Sequence, residues 1–180
     1  ALNGVDTVVL DKTGTLTKGI FSVTSITAFH GYSQADILRF AALVEMHSNH
    51  PIALSIKRAY TEPLEAVVSS YEELAGYGVK ALIDEKRVLA GSDKLLREHN
   101  ISHESIQTPD TVVYVAVDDV LEGYIIIADE LKVDSKRAVL ELKALGIKEI
   151  VMLTGDNKAA AWKIAKELGI TRVEAEQIGR

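Results

Sequence analysis

Residues 5–17 read Val-Asp-Thr-Val-Val-Leu-Asp-Lys-Thr-Gly-Thr-Leu-Thr. The first part, Val5 to Leu10, is a short run rich in β-branched residues, and it predicts a buried strand. The strand ends at Asp11, and the polar residues after it predict a loop. In an open α/β sheet, ligands bind in the crevice at the carboxyl ends of the strands. The stretch therefore predicts an α/β layer with Asp11 at its ligand-binding edge.

A second unit of the same kind lies near the other end of the chain. The apolar run Glu149–Leu153 predicts a strand, Thr154-Gly155-Asp156-Asn157 a loop, and the helical spacing of Ala161, Ile164, Ala165 and Leu168 a helix. Just before it, Ser135–Leu145 predicts a helix capped by Asp134 and stopped by Gly146. The two ends of the chain are thus expected to form one α/β layer.

The middle of the chain predicts an α+β insert with antiparallel strands. A strand is expected over Val23–Phe29, a capping box of Ser33 and Asp36 opens one helix, and Pro51 opens another. Hairpins and a further short helix are predicted as follows: Gly78–Ile83 with Lys86–Ala90, helix Asp93–His99, and Thr111–Val117 with Leu121–Ala128. We place the layer at residues 1–19 and 124–180, and the insert at 20–123.

Composition narrows the classes of function. With 47% apolar residues in 180, the chain can bury a full core, which excludes a disordered segment. The net charge of −6 opposes binding to phosphate backbones, so no nucleic-acid partner is expected. The longest apolar runs, Val112–Val117 and Tyr124–Ala128, are far shorter than the roughly 18 to 20 residues that cross a bilayer. The sequence has no cysteine, which excludes a disulfide framework and fits a cytosolic setting.

Asp11 is placed to act as a nucleophile. A carboxylate that attacks a phosphoryl group forms an acyl phosphate, and a divalent cation such as Mg²⁺ must first neutralise the phosphate. Lys12, Thr13 and Thr15 supply charge and hydroxyl groups nearby. The alternative for an isolated Asp-Lys-Thr is a polar loop after a core strand.

The full string of residues 11–17, Asp-Lys-Thr-Gly-Thr-Leu-Thr, resembles the phosphorylation signature of the P-type ATPases. The resemblance implies a haloacid-dehalogenase-like phosphorylation domain whose Asp11 is transiently phosphorylated by ATP. It also implies that the Asp11 carboxylate and the Thr13 carbonyl hold Mg²⁺, and that Thr15 steadies the transferred phosphate.

Residues 154–157, Thr-Gly-Asp-Asn, match a second motif of that family. By resemblance, the Thr154 hydroxyl binds the phosphate, Asp156 orients the nucleotide, and Gly155 and Asn157 belong to the same binding loop. The amino end of the following helix adds a dipole that favours anions. Alone, the tetrapeptide is also ordinary turn chemistry.

Thr13 separates two kinds of enzyme that share this layer. The related phosphatases and mutases carry a second aspartate two positions after the nucleophile, where it serves as acid and base in hydrolysis of the acyl phosphate. A threonine hydroxyl does not titrate near neutral pH, so the acyl phosphate is expected to persist. This favours a pump over a phosphatase.

In the insert, Ser48-Asn49-His50-Pro51 resembles the Ser-x-His-Pro element of the heavy-metal-transporting P-type ATPases. The resemblance implies that His50 lies against the adenine ring of ATP, supported by Glu45, Gly76, Gly78 and Gly91. The alternative is structural: Pro51 starts a helix, His50 caps it, and the glycines form turns.

Some positions receive no firm role. Ser92 stands where the family commonly has Asn, and Lys132 where it often has Arg, which alone can form a bidentate fork. His47 with His50, and His99 with His103, have spacings that could suit a metal, but each pair lacks an obvious third and fourth ligand.

Together these features predict the ATP-binding and phosphorylation portion of a heavy-metal-exporting P-type ATPase, on the cytosolic side of an integral membrane protein. The family's phosphorylation domain continues to a lysine and a Gly-Asp-Gly-x-Asn-Asp segment, so residues 124–180 are expected to form an incomplete second part. Its partners would be the transmembrane and actuator domains of the same protein. The exported ion would bind outside this chain, and Zn²⁺ or Cd²⁺ is expected, with Cu⁺ as the competing choice. A free-standing phosphatase and a non-catalytic nucleotide-binding module are the alternatives.

Overall fold

A computed structural model describes residues 4–155 and 158–175. The strands are β1 (Thr7–Asp11), β2 (Thr17–Ala28), β3 (Val68–Leu74), β4 (Gly78–Ile83), β5 (Lys86–Gly91), β6 (Thr111–Val117), β7 (Val120–Leu131), β8 (Glu149–Thr154) and β9 (Arg172–Ala175). The helices are α1 (Gln34–Val44), α2 (Pro51–Ala59), α3 (Asp93–Glu98), α4 (Ser135–Ala144) and α5 (Lys158–Leu168). None of the helices in the described ranges combines the length and apolar character that a membrane span requires.

The chain divides into two compact units. Unit 1 comprises Ala1–Ile20 and Asp129–Arg180, and unit 2 comprises Phe21–Ala128. The boundary that the sequence analysis placed after Gly123 falls inside strand β7.

Unit 1 contains a sheet of three parallel strands in the order β1-β8-β9. The predicted strand–loop–helix unit is present, and the apolar side of α5 (Ala161, Ile164, Ala165 and Leu168) is buried against Ile150 and Met152. Gly146 ends α4 with a φ of +89°, as expected for a helix stop. Both ends of the chain thus contribute to one α/β layer.

Three expectations for unit 1 were wrong or incomplete. Strand β1 was predicted to be buried, but it is an edge strand of the sheet. Its residues Val8 and Leu10 pack against the core. Val9 points to the opposite face and is 53% exposed. Asp134 precedes α4 but makes no side-chain cap, because its backbone is helical (φ −89°, ψ −4°) rather than extended. Its carboxylate accepts from Arg137 at 3.3 Å. Strand β9 was not predicted, since Val173 is its only buried residue.

Unit 2 contains most of a six-stranded sheet in the order β2-β7-β6-β5-β4-β3, antiparallel from β7 to β3. One face packs against α1 and α2, and α3 packs on the other. Strand β6 is covered on both sides, which explains its unbroken apolar run: Val113 and Val115 face one core, Tyr114 and Ala116 the other.

Local signals set several elements of unit 2 as predicted. The capping box is formed: Ser33 Oγ accepts from the Asp36 N–H at 3.0 Å, and Asp36 accepts from the Ser33 N–H at 2.9 Å. Residues 84–85 and 118–119 have positive φ values, as tight hairpin turns require. The strand predicted from Val23 begins earlier, at Thr17. Strand β3 was missed because it is polar and bulged near Ser70, which breaks the alternation.

Candidate functional site

The turn after β1 positions Asp11 at the carboxyl end of the strand. Within it, Thr13 has φ −73° and ψ 123°, and Gly14 has φ 79° and ψ −15°. These are the central angles of a type II β-turn, whose third residue needs a positive φ and is therefore usually glycine. The turn leaves Asp11, Thr13 and Thr15 exposed at its surface, while Lys12 is buried.

Groups from residues 129–135 of unit 1 hold this turn in place, and Ser135 among them is buried. The Leu16 carbonyl accepts from Ser135 Oγ at 2.6 Å and from the Lys132 N–H at 3.1 Å. Thr17 Oγ1 donates to Asp129 Oδ2 at 2.6 Å. The sequence analysis missed the roles of Thr17, Asp129 and Ser135, although Asp129 and Lys132 stand in one four-residue stretch whose lysine it had noted.

The parallel register brings the two motifs of unit 1 to one sheet edge. Asp11 of β1 is paired with Leu153 of β8, so Thr154, which is 1% exposed, follows directly at the same end of the sheet. Gly155 comes next and is exposed. Asp156 and Asn157, assigned to nucleotide binding by the sequence, lie outside the described residues. Lys132 lines a cleft of about 400 Å³ together with Thr15 and Lys18.

A second cleft, of about 300 Å³, lies in unit 2 and is formed by segments that are far apart in the chain. It is lined by all five residues that the sequence assigned to the insert's binding site: Glu45, His50, Gly76, Gly78 and Gly91. Glu73, Tyr77 and Ser92 also line it. No local pattern pointed to Glu73, because strand β3 was not predicted.

His50 combines the structural role with a free hydrogen-bonding edge. Its Nδ1 accepts from the Ile52 N–H at 3.2 Å and caps α2. The capping role that the sequence offered as the structural alternative is therefore present. Since Nδ1 is the acceptor, the neutral ring carries its proton on Nε2, as assigned from this hydrogen bond. Lys57 Nζ donates to the Ser48 carbonyl at 2.6 Å and steadies the preceding loop. The imidazole can therefore present a donor to a ligand.

Glu45 is a buried acid at the cleft, only 8% exposed. Burial raises the pKa of Glu45 to about 7, with Glu73 adding to the rise and Lys57 opposing it. Near neutral pH the side chain is therefore present both as a carboxylate that accepts and as an acid that donates.

The three glycines of the cleft have different reasons to be glycine. A Cβ on Gly78 would lie 2.3 Å from the Ala90 carbonyl oxygen, and one on Gly91 would lie 2.2 Å from the Tyr77 carbonyl oxygen. Contact between strands therefore explains Gly78 and Gly91. Gly76 has φ +79° with nothing within 4 Å of the Cβ position, so only Gly76 leaves open space.

Ser92 closes the turn beside these glycines. Both its N–H and its Oγ donate to the Tyr77 carbonyl, at 2.8 and 3.1 Å. The family commonly has Asn at this position, and here the shorter Ser92 side chain bonds to Tyr77, which lines the cleft.

Comparison with known proteins finds similarity to a hydrolase family and to metal-transporting ATPases. A family profile described as haloacid dehalogenase-like hydrolase matches residues 5–179. A zinc-transporting ATPase of Synechocystis sp. is 45% identical over 98% of this chain and 24% of that protein. A cadmium, zinc and cobalt-transporting ATPase of Bacillus subtilis is 46% identical over 98% of this chain and 25% of that protein. A crystal structure of a zinc-transporting PIB-type ATPase matches with a TM-score of 0.77 and 37% identity, over 95% of this chain and 29% of that chain.

These similarities confirm the resemblance that the motifs predicted, and the predicted fold class with it. The chain spans about a quarter of the length of the two transporters that it matches.

Proposed function

The chain belongs to the haloacid dehalogenase-like hydrolase family, and from that premise we propose that it is the ATP-binding and phosphorylation portion of a heavy-metal-transporting P-type ATPase. Unit 1 is the phosphorylation domain and unit 2 the nucleotide-binding domain. The observation that carries the proposal is the register of β1 with β8, because it brings Asp11 and Thr154 to one sheet edge. A nucleophile and a phosphate-binding hydroxyl are needed together for phosphoryl transfer.

Asp11 is the proposed nucleophile. A carboxylate oxygen of Asp11 bonds to the γ-phosphorus of ATP, the bond to the oxygen that bridges the β- and γ-phosphates breaks, and ADP leaves. The exposed Thr15 hydroxyl and the Thr154 hydroxyl donate hydrogen bonds to the transferred group. Since Thr13 cannot act as a general base, water is not activated from this position and the aspartyl phosphate persists.

The donor set beside Asp11 fits Mg²⁺. The Asp11 carboxylate and the Thr13 carbonyl are oxygen ligands in an exposed turn, and Mg²⁺ prefers oxygen ligands and keeps several of its waters. When bound, Mg²⁺ neutralises part of the phosphate charge. Lys12 contributes a positive charge from within the turn.

The cleft of unit 2 suits the adenosine part of ATP. The Nε2–H of His50 can donate to a ring nitrogen of adenine, and the Glu45 carboxylate can accept from its exocyclic amine. Among the described residues, no lysine or arginine lines this cleft. The cleft lining therefore offers no cationic side chain to the triphosphate.

Coupling to transport would lie in the rest of such a protein. ATP delivery by unit 2 and phosphorylation of unit 1 would drive membrane helices through a domain closure, with an actuator domain as a further partner. This places the chain on the cytosolic side of an integral membrane protein. Zn²⁺ or Cd²⁺ is the proposed cargo, bound outside this chain, because one similar transporter is named for zinc and the other for cadmium, zinc and cobalt.

The test is phosphate transfer from γ-labelled ATP in the full-length transporter that contains this chain. We expect an acid-stable, hydroxylamine-sensitive phosphoprotein that Asp11→Asn abolishes. Asp6→Asn, at an exposed aspartate of the same unit, is the matched control and should label normally. Labelling that survives in Asp11→Asn would refute the proposal.

The two alternatives give other results. Rapid turnover of a generic phosphate ester that depends on Asp11 would indicate a phosphatase. ATP binding without any phosphoprotein would indicate a regulatory module.

A further inference from the structure

His103 is a buried histidine outside the cleft whose two ring nitrogens both face acceptors. Its side chain is 6% exposed. Nδ1 lies 2.8 Å from the Ile101 carbonyl oxygen, and Nε2 contacts Asp93 Oδ1. A carbonyl accepts only, and so does an ionised carboxylate. Both contacts are satisfied only when the ring carries two protons.

The surroundings of His103 favour this charged pair. Ser105 Oγ donates to Asp93 Oδ1 at 3.0 Å, and Arg97 forms an ion pair with the same carboxylate. The hydrogen bond from His103, followed by the hydrogen bond from Ser105 and the charge of Arg97, lowers the pKa of Asp93 despite burial. Burial alone would lower the pKa of His103, but the bonds to Ile101 and Asp93 outweigh it and raise that pKa.

His103 is connected by two sets of contacts to the cleft wall formed by Tyr77, Gly91 and Ser92. Asp93 is the first residue of α3 and follows Ser92, which holds the Tyr77 carbonyl through two hydrogen bonds. The His103 ring also packs on Tyr114, with 5.6 Å between ring centroids. Tyr114 is paired with Gly91 in the register of β5 and β6. Tyr77, Gly91 and Ser92 line the cleft.

We propose that His103 is a positioning residue of the cleft: as an imidazolium it fixes Asp93 and thereby the Gly91–Ser92 wall, so that ligand affinity falls when the ring loses its proton. The groups that face it are Asp93 and Arg97 from α3, Ser105 from its own loop, and the phenol of Tyr114 from β6. The identity of the ligand as an adenine nucleotide rests on the proposed function, whereas the link between His103 and the wall does not.

The first test needs neither a variant nor a nucleotide. In an NMR pH titration of the chain, the His103 ring should carry two protons at pH 6 and lose one with a midpoint above the ordinary pKa of histidine. The backbone amides of Tyr77, Gly91 and Ser92 should shift with the same midpoint. A midpoint at or below the ordinary pKa of histidine, or amides of Tyr77, Gly91 and Ser92 that do not shift with that midpoint, would overturn the inference.

The second test measures ATP affinity across pH for the original chain and for His103→Gln. Since Glu45 also titrates near neutral pH, the quantity to follow is the ratio of the two dissociation constants, from which the contribution of Glu45 cancels. We expect His103→Gln to bind about threefold to tenfold more weakly at pH 6, and the two affinities to become equal above the midpoint of the His103 titration. His99→Gln, at the neighbouring histidine that ends α3, is the control and should match the original chain.

The outcomes separate the two ideas. A ratio that stays constant with pH, or an equal effect of His99→Gln, contradicts the positioning role. If ATP binds at no pH, the proposed function of unit 2 fails, while the amide titration still decides whether His103 controls the wall.

Discussion

In the turn after β1, every candidate residue from Asp11 to Thr15 belongs to one continuous stretch, whereas the cleft of unit 2 draws Glu45, His50 and its glycines from separate segments. The turn exposes its reactive side chains and relies on buried groups, such as Ser135, to hold its backbone. The cleft instead depends on close contact between strands and on a buried acid. A reactive group at a strand end can thus be specified by a few consecutive residues. A binding cleft such as that of unit 2 instead requires the packing of a whole domain.

The largest effect on stability should come from the strand contact that shapes the cleft. In Gly91→Ala, the new Cβ would meet backbone atoms of Tyr77 and Gly78 at 2.2 and 2.8 Å, which cannot move as a flexible side chain would. We expect unit 2 to lose about 3 kcal/mol, measured by urea unfolding. Gly76→Ala is the control, since its Cβ meets nothing within 4 Å and only the positive φ costs about 1 kcal/mol. Equal losses would mean that strand contact does not shape the cleft.

The second prediction is that ionised Glu45 lowers the free energy of unfolding of unit 2. Its pKa rises from 4.5 to about 7 on folding, so the folded state disfavours the ionised form. The penalty is absent below pH 4.5, grows up to about pH 7 and stays constant above it.

Glu45→Gln is therefore expected to gain on the order of 2 kcal/mol of unfolding free energy at pH 8 and little at pH 4.5, while its ATP affinity falls. Chemical denaturation at the two pH values measures the gain. Glu72→Gln, at an exposed glutamate paired with Lys80, should show no such pH dependence. A gain that is equal at both pH values would contradict the burial argument.

The smallest effect concerns the turn. Gly14→Ala should cost about 1 kcal/mol, because φ is +79° and the Cβ position is open. Gly146→Ala is matched to it, with φ +89° and equally open space at the end of α4. Thermal unfolding should show similar losses for the two variants, and phosphate labelling should decline only in Gly14→Ala. If both label normally, the conformation of the turn does not matter for transfer.

Short-range patterns predicted most of the fold. The capping box at Ser33 and the hairpin turns at residues 84–85 and 118–119 depend on neighbouring residues, and all were found. Strands β3 and β9 were missed because sheet pairing, rather than an apolar pattern, defines them. Asp134 did not cap α4, since its backbone is helical rather than extended as a capping residue requires.

The two sites differ in the same way. The residues of the turn follow from one string, but its anchors, Asp129 and Ser135, are distant in the chain and left no local signal. The residues of the cleft came from family resemblance, because no periodicity links Glu45 to Gly91. Only the structure distinguishes the glycines needed for strand contact from Gly76, which leaves open space.

The central claim is that the cleft of unit 2 binds the adenine base through His50, and calorimetric titration of the chain tests it directly. The titrants are ATP and GTP, and the variants are His50→Gln and His47→Gln, the latter at an exposed histidine that packs on Tyr71 rather than lining the cleft. The account predicts that ATP binds, that GTP binds about tenfold more weakly, and that His50→Gln alone weakens ATP binding by about tenfold. Absence of ATP binding, or equal affinities in the two variants, would contradict it.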